Sequence, residues 1–234
     1  MQQVLHIFQK EFKDYFVSPI AYIVIFIFLL VTGWFFFMTF FLFNQAELRN
    51  FFSLLPLSLS FFIPAVTMRL FAEELNTGSY EILLTLPVTF RDIILGKFMA
   101  GVVFVGAILV PTIAYPLFIA GMGELDWGPV VGGYAGALML GAAFTAIGLF
   151  ASALTRNQII AFILGAVICF VLTTVDRMLF FFPGPILNAV NYIGASSHFQ
   201  NVAKGIIDSR DVLYFVSLVF LGLYAAHLAM QEKK

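Results

Sequence analysis

Charge is what this sequence has least of: 11% of its 234 residues are Asp, Glu, Lys or Arg, against roughly 25% in a soluble domain. A globule of this length leaves too much surface in water to be wetted so sparsely, and 30 Phe beside the aliphatic residues exceed what its core could hide. The apolar excess, 62% of the chain, therefore faces lipid. Basic runs are absent and the formal net charge is −1, which argues against nucleic acid as a partner. The single cysteine, Cys169, excludes an intramolecular disulfide and reads as a small hydrophobe packed in a helix. The three histidines, His6, His198 and His227, lie at or near the ends of the uncharged intervals, and the acids lie outside them or at their edges. That distribution disfavours proton or ion relays and paired haem ligands. No metal pair and no intramembrane nucleophile with a base can be assembled, so no catalytic and no metal residues are expected. A basic n-region with a short apolar core and a small-residue cleavage site is also missing from the start.

What is present is a series of long uncharged runs. A Lys, Arg or Asp at the centre of a spanning helix costs about 2.5 to 3.5 kcal/mol, so the charges mark the ends of spans. Six intervals can each supply the roughly 20 residues that cross a hydrocarbon core: Tyr15 to Ala46, Asn50 to Met68, Phe98 to Gly123, Trp127 to Thr155, Asn157 to Val175 and Val212 to Gln231. The expected fold is an all-α polytopic membrane protein in one domain, with spans at 20–43, 51–71, 97–121, 129–154, 158–176 and 212–230. A seventh uncharged interval, Met178 to Ala203, carries Pro183, Pro185 and a cluster of Asn, Ser, His and Gln. It is expected not to cross. Positions 183–208 are expected to form an external re-entrant or amphipathic segment, with Val202, Ala203, Ile206 and Ile207 on one helical face lying in the interface.

Six spans place both termini on one side. Assigning that side to the cytoplasm puts Lys10, Lys13, Arg69, Arg91, Lys97, Arg156, Lys233 and Lys234 inside and only Arg49, Arg177, Lys204 and Arg210 outside, in line with the positive-inside rule. Before the first span, Val4, Leu5, Phe8, Phe12, Tyr15 and Phe16 recur at helical spacing opposite Gln2, Gln3, Gln9, Lys10 and Lys13. Residues 1–17 are therefore expected to lie as an amphipathic helix on the membrane surface. Ser18-Pro19 then reads as an N-cap with proline at the first helical position of span one.

The densest charge falls between spans two and three, from Arg69 to Lys97. Span two should run on to Asn76 and stop at Gly78, because glycine takes the left-handed conformation without penalty. Ser79 can cap a new short helix over 79–86, with Glu81 in its first turn, and Pro87 ends it. That helix carries Tyr80, Leu83 and Leu84 as apolar knobs. Thr89 with Asp92 has the spacing of a capping box opening span three. A short apolar helix held off the membrane by two long ones can dock into a groove of another protein, or it can simply join two spans.

The run Glu73-Glu74-Leu75-Asn76-Thr77-Gly78-Ser79-Tyr80-Glu81-Ile82-Leu83-Leu84-Thr85-Leu86-Pro87-Val88, followed by Gly96-Lys97, closely resembles the coupling-helix motif of ABC-2 type permeases. The order of parts is also similar over nearly the whole chain, most closely to the compact gliding-motility and copper-maturation subgroups. Ser79-Tyr80 departs from the Thr-Leu or Thr-Met common in the family. The resemblance implies a permease subunit, usually of an exporter, in the bacterial cytoplasmic (inner) membrane. It implies that Tyr80, Leu83 and Leu84, with Ser79, Thr85 and Pro87 beside them, contact the ATPase subunit. Glu81 would pair with a basic residue there, while Glu73, Glu74, Gly78 and Lys97 support the gate. In plainer terms, Glu73 and Glu74 form a solvated face and Glu81 complements a helix dipole. No Gly-x-x-x-x-Gly-Lys-[Ser/Thr] string occurs, so ATP and Mg are expected on a separate ATPase subunit, which the resemblance implies is present in two copies. A second permease copy or paralogue completes the pair, with room for a periplasmic or membrane auxiliary subunit. The alternative is a membrane scaffold, or a force-transmitting subunit without cargo.

Within span four, Gly128, Gly132 and Gly136, with Gly133 and Gly141 near them, are expected to line one side and let helices approach closely, within the chain rather than at a dimer seam. Pro56, Pro64, Pro111 and Pro116 should bend spans two and three.

Overall fold

The computed structural model describes residues 2–43, 48–79, 88–123, 125–177, 192–206 and 208–233. Among these residues there is no strand, as lipid demands of open structures: a spanning segment must satisfy its backbone internally. The helices are α1 (Gln2–Val17), α2 (Pro19–Phe43), α3 (Arg49–Thr67), α4 (Arg69–Thr77), α5 (Phe90–Leu109), α6 (Ala114–Ala120), α7 (Trp127–Leu154), α8 (Gln158–Thr174), α9 (Ala195–Ala203) and α10 (Ser209–Gln231). Six segments are long and apolar enough to cross a membrane: Pro19–Met38, Arg49–Thr77, Phe90–Ala120, Trp127–Leu154, Gln158–Arg177 and Ser209–Gln231. Of the coupling helix expected over 79–86, all but Ser79 lies outside the described residues, as do 178–191 with Pro183 and Pro185.

Helix α7 is the axis of the bundle. Buried residues make up 72% of its most apolar stretch, against 22% for span one and 28% each for spans five and six, so those three spans turn most of their surface to lipid while α7 is enclosed. The enclosure works because small residues stand where neighbours come closest. Any side chain at Gly132 would meet the Val202 carbonyl, and one at Gly136 would meet Phe199, both on α9. Gly133 instead abuts the ring of Phe52 on α3, Gly141 faces Val105 on α5, Gly148 faces Thr67 on α3, and Gly222 of α10 rests on Ala146. The small residues thus surround α7 rather than line one side of it. Gly128 stands apart, near only its own cap residue Asp126 and the backbone of Gly205. With no hydrophobic drive between helices in lipid, close backbone approach of this kind is what dispersion contacts require.

The structure departs from the sequence-based boundaries at four places. Span three starts at Phe90, ahead of Lys97, because Thr89 and Asp92 form a reciprocal capping box: the Asp92 amide donates to Thr89 Oγ1 and the Thr89 amide to Asp92 Oδ2. It also breaks at Pro111 into a 3-10 turn, Val110–Ile113, since proline cannot donate to the ladder. Span two is interrupted at Met68, between α3 and α4. The segment before α10 forms a helix only over Ala195–Ala203, and Gly205 then turns left-handed with φ 85°, leaving Ile206 exposed and off the expected face. The apolar face of α9 is Ala195, Phe199 and Val202, fully buried against the protein instead of lying in the interface.

Hydroxyls within the spans mostly fold back on their own helix: Thr32 donates to the Phe28 carbonyl, Thr145 to Gly141 and Thr173 to Cys169. The two ends of the bundle are fastened by charge. At the end carrying both termini, Lys233 Nζ donates to the Ala153 carbonyl at 2.6 Å, closing the C-terminus of α7; burial, together with nearby Arg156, pulls the Lys233 ammonium below the usual lysine range. At the other end His198 Nδ1 lies 2.6 Å from Asp211 Oδ1 and stacks on Tyr214, clasping α9 to α10. Gly133→Ala should cost about 1 to 3 kcal/mol by overpacking and lower the unfolding midpoint of the purified protein, whereas Gly128→Ala should cost clearly less; equal losses would contradict the packing around α7.

Candidate functional site

At the end carrying the termini, three segments distant in sequence meet around one ammonium. Lys97 on α5 is 1% exposed, and its Nζ lies 2.9 Å from Glu11 Oε1 on α1 and 2.8 Å from Glu74 Oε1 on α4. The ring of Phe71, also on α4, faces it at 5.2 Å. Lys10 adds a second ammonium at 3.5 Å from Glu11 and 3.8 Å from Glu74, so two cations balance two carboxylates. Lys10 is largely exposed and therefore contributes little energy; Lys97 is the partner that matters.

The neighbouring pairs extend this node. Arg69, at the start of α4, donates from Nε to Glu73 Oε2 at 3.0 Å and from Nη1 to Ser18 Oγ at 3.0 Å. Ser18 is the residue before α2 and its hydroxyl also accepts the Ile20 amide, so one side chain caps span one and holds α4. Tyr15 is buried and stacked on Phe104 of α5, and burial with Glu11 alongside pushes its phenol far above the usual range. A cavity of about 340 Å³ opens among Glu11, Tyr15, Arg69, Glu74, Ser79 and Lys97.

Helix α1 can lie this close because Gly96 has no side chain: a Cβ there would strike Ile7 at 2.7 Å. Helix α4 ends on Gly78, left-handed at φ 74°, and the Thr77 and Ser79 hydroxyls pair across the turn at 2.9 Å. Residues 80–87 are thus framed by α4 on one side and by the Thr89 cap of α5 on the other, and Glu74 and Lys97 tie those two arms together at their base.

The chain matches the family of ABC-2 family transporter proteins over residues 5–225. It belongs to that family. Curated proteins yield no match to it. The family makes this chain a multi-pass permease of an ABC transporter, a membrane component that works with an ABC ATPase and has no ATPase site of its own.

Of the residues expected to support the permease's gate, Glu74 and Lys97 meet directly, Glu73 is taken by Arg69, and Gly78 forms the stop after α4. Ser79 lies at the cavity edge; Tyr80, Glu81, Leu83, Leu84, Thr85 and Pro87 lie outside the described residues. The Glu73–Val88 run that carried the resemblance does not include Glu11, Tyr15 or Arg69. A signal for Glu11 existed, since it shares the helical spacing of Val4, Phe8 and Tyr15 and so interrupts an otherwise apolar face.

Lys97→Met should destabilise the permease by about 3 to 5 kcal/mol, because two mostly buried carboxylates, Glu11 and Glu74, would share only the exposed Lys10 as a counter-ion. The triple variant Glu11→Gln, Glu74→Gln, Lys97→Met should recover part of that loss. Thermal unfolding of the three proteins in one detergent checks both; a triple variant no better than Lys97→Met would mean that the carboxylates are not the source of the cost.

Proposed function

We propose that this permease is the transmembrane half of an exporter, coupled to ATP hydrolysis through residues 80–87. Two permeases, identical or paralogous, pair with two ATPase subunits that bind ATP and Mg, in a bacterial cytoplasmic membrane with both termini facing the cytoplasm. Tyr80, Leu83 and Leu84 dock on the ATPase, Ser79, Thr85 and Pro87 shape that helix, and Glu81 pairs with a cation of the ATPase. An auxiliary periplasmic or membrane subunit completes assemblies that need one.

The observation that carries this reading is the buried Glu11–Lys97–Glu74 node at the base of the two arms framing the segment. A connector that only joined two spans would have no need to bury a charge there, since an exposed lysine avoids the desolvation cost. With the node in place, closure of the ATPases on ATP moves residues 80–87, and α4 and α5 follow as one unit. Span two, span three and α1 then tilt together and change access along the path. The positive-inside distribution of Lys and Arg supports the orientation.

Leu84→Asp puts a charge on the docking face and should abolish ATPase co-purification or uncouple hydrolysis, at unchanged membrane insertion. Pull-down from solubilised membranes, followed by hydrolysis and transport assays, reads the outcome. ATPase binding and hydrolysis identical to the native complex would sink the docking role, and stimulated hydrolysis with no cargo moved would favour the force-transmitting alternative.

A further inference from the structure

The break in span two at Met68 is not left to solvent or lipid. Met68 keeps right-handed angles, φ −53° and ψ −27°, so the chain continues in the same general direction, but α3 ends and α4 begins there. A new helix brings unpaired amides in its first turn, and inside a membrane each must find a partner. The partner comes from another helix. Ser152 of α7, fully buried, accepts from the Phe71 amide at 3.0 Å and the Ala72 amide at 3.0 Å, and donates to the Met68 carbonyl at 2.8 Å. One hydroxyl is thereby spliced into the break with its donor and acceptor capacity filled.

Such a short side chain reaches only if the helices nearly touch. One turn earlier on α7, Gly148 gives that room: a Cβ there would collide with Thr67, the last residue of α3. Thr67 turns its own hydroxyl back to the Ile63 carbonyl, which leaves the amides of α4 to Ser152. Other span hydroxyls such as Thr32, Thr145 and Thr173 bond within their own helix, so a side chain inserted into a neighbour's ladder is the recognised kind of kink site.

We propose that Ser152 is the pivot pin of the permease: α4 turns about its hydroxyl relative to α3 while α7, the enclosed axis of the bundle, stays still. Ser152 is a positioning residue, acting through Phe71 and Ala72. Phe71 gives its amide to Ser152 and its ring to Lys97, so the pin and the charged node address the same short helix. The proposal rests on the reading that an ATPase drives residues 80–87. It adds where the motion is hinged and by which group, and predicts that weakening the pin loosens α4 without detaching the ATPase.

The test uses the permease with its co-purified ATPase in nanodiscs. Hydrogen exchange is followed over 68–77, and nitroxides on Asn76→Cys and Leu154→Cys, both at exposed positions, report the α4 to α7 distance before and after trapping with ATP and vanadate. In the native complex the distance distribution is narrow and shifts on trapping. In Ser152→Ala the exchange over 68–77 rises about tenfold or more while 90–109 is unchanged, the distribution is broad before nucleotide, and the trapping shift is lost although hydrolysis continues. Ser152→Thr, which keeps the hydroxyl, restores the narrow distribution. Unchanged exchange over 68–77 in Ser152→Ala, or a native shift on trapping despite faster exchange, overturns the pin. A native complex with no trapping shift overturns the ATPase-driven reading and the pin together, whereas a native shift that survives in Ser152→Ala overturns the pin alone.

Discussion

An ammonium at the edge of a hydrocarbon layer must be neutralised by groups that can reach it, and Lys97 draws three segments of this chain together for that purpose. Its charge is tolerable only with Glu11 and Glu74 in contact, because the attraction in a low dielectric has to offset a desolvation cost of several kcal/mol per ion. The arrangement is therefore specific rather than strongly stabilising. It sets the register of α4 against α5 and holds α1 on both, so a helix that amphipathicity alone would leave on the membrane surface is tied into the bundle. Gly96 completes the fit by letting α1 approach.

A second constraint acts deeper in the bundle. Lipid competes for apolar side chains on equal terms, so helices adhere where their backbones come near and where polar groups find partners. Helix α7 meets both conditions: glycines on several faces admit α3, α5 and α9, and Ser152 completes the hydrogen bonding of the interrupted span two. The Ser152 hydroxyl joins α7 to α4 by hydrogen bonds, while the charged node links α4 to α1 and α5. Helix α4 is thus held by polar contacts and along its length by buried Leu70, Phe71 and Leu75.

What the sequence determined by itself is whatever depends on local composition and near neighbours. Uncharged runs of sufficient length imposed the six crossings, Thr89 and Asp92 placed the start of α5, and Gly78 ended α4, because the cost of charge in lipid and the geometry of caps act over a few residues. The family was legible for the same reason, carried by the contiguous Glu73–Val88 run. Only the tertiary structure decided that Glu11 turns inward, that Ser152 reaches across to α4, that the glycines of α7 serve several neighbours, and that α9 packs on protein instead of lying in the interface. Each of those joins residues far apart along the chain. A serine or glutamate carries no mark of which distant backbone or ammonium will stand within 3 Å of it; that follows from how the helices pack, which local periodicity does not encode.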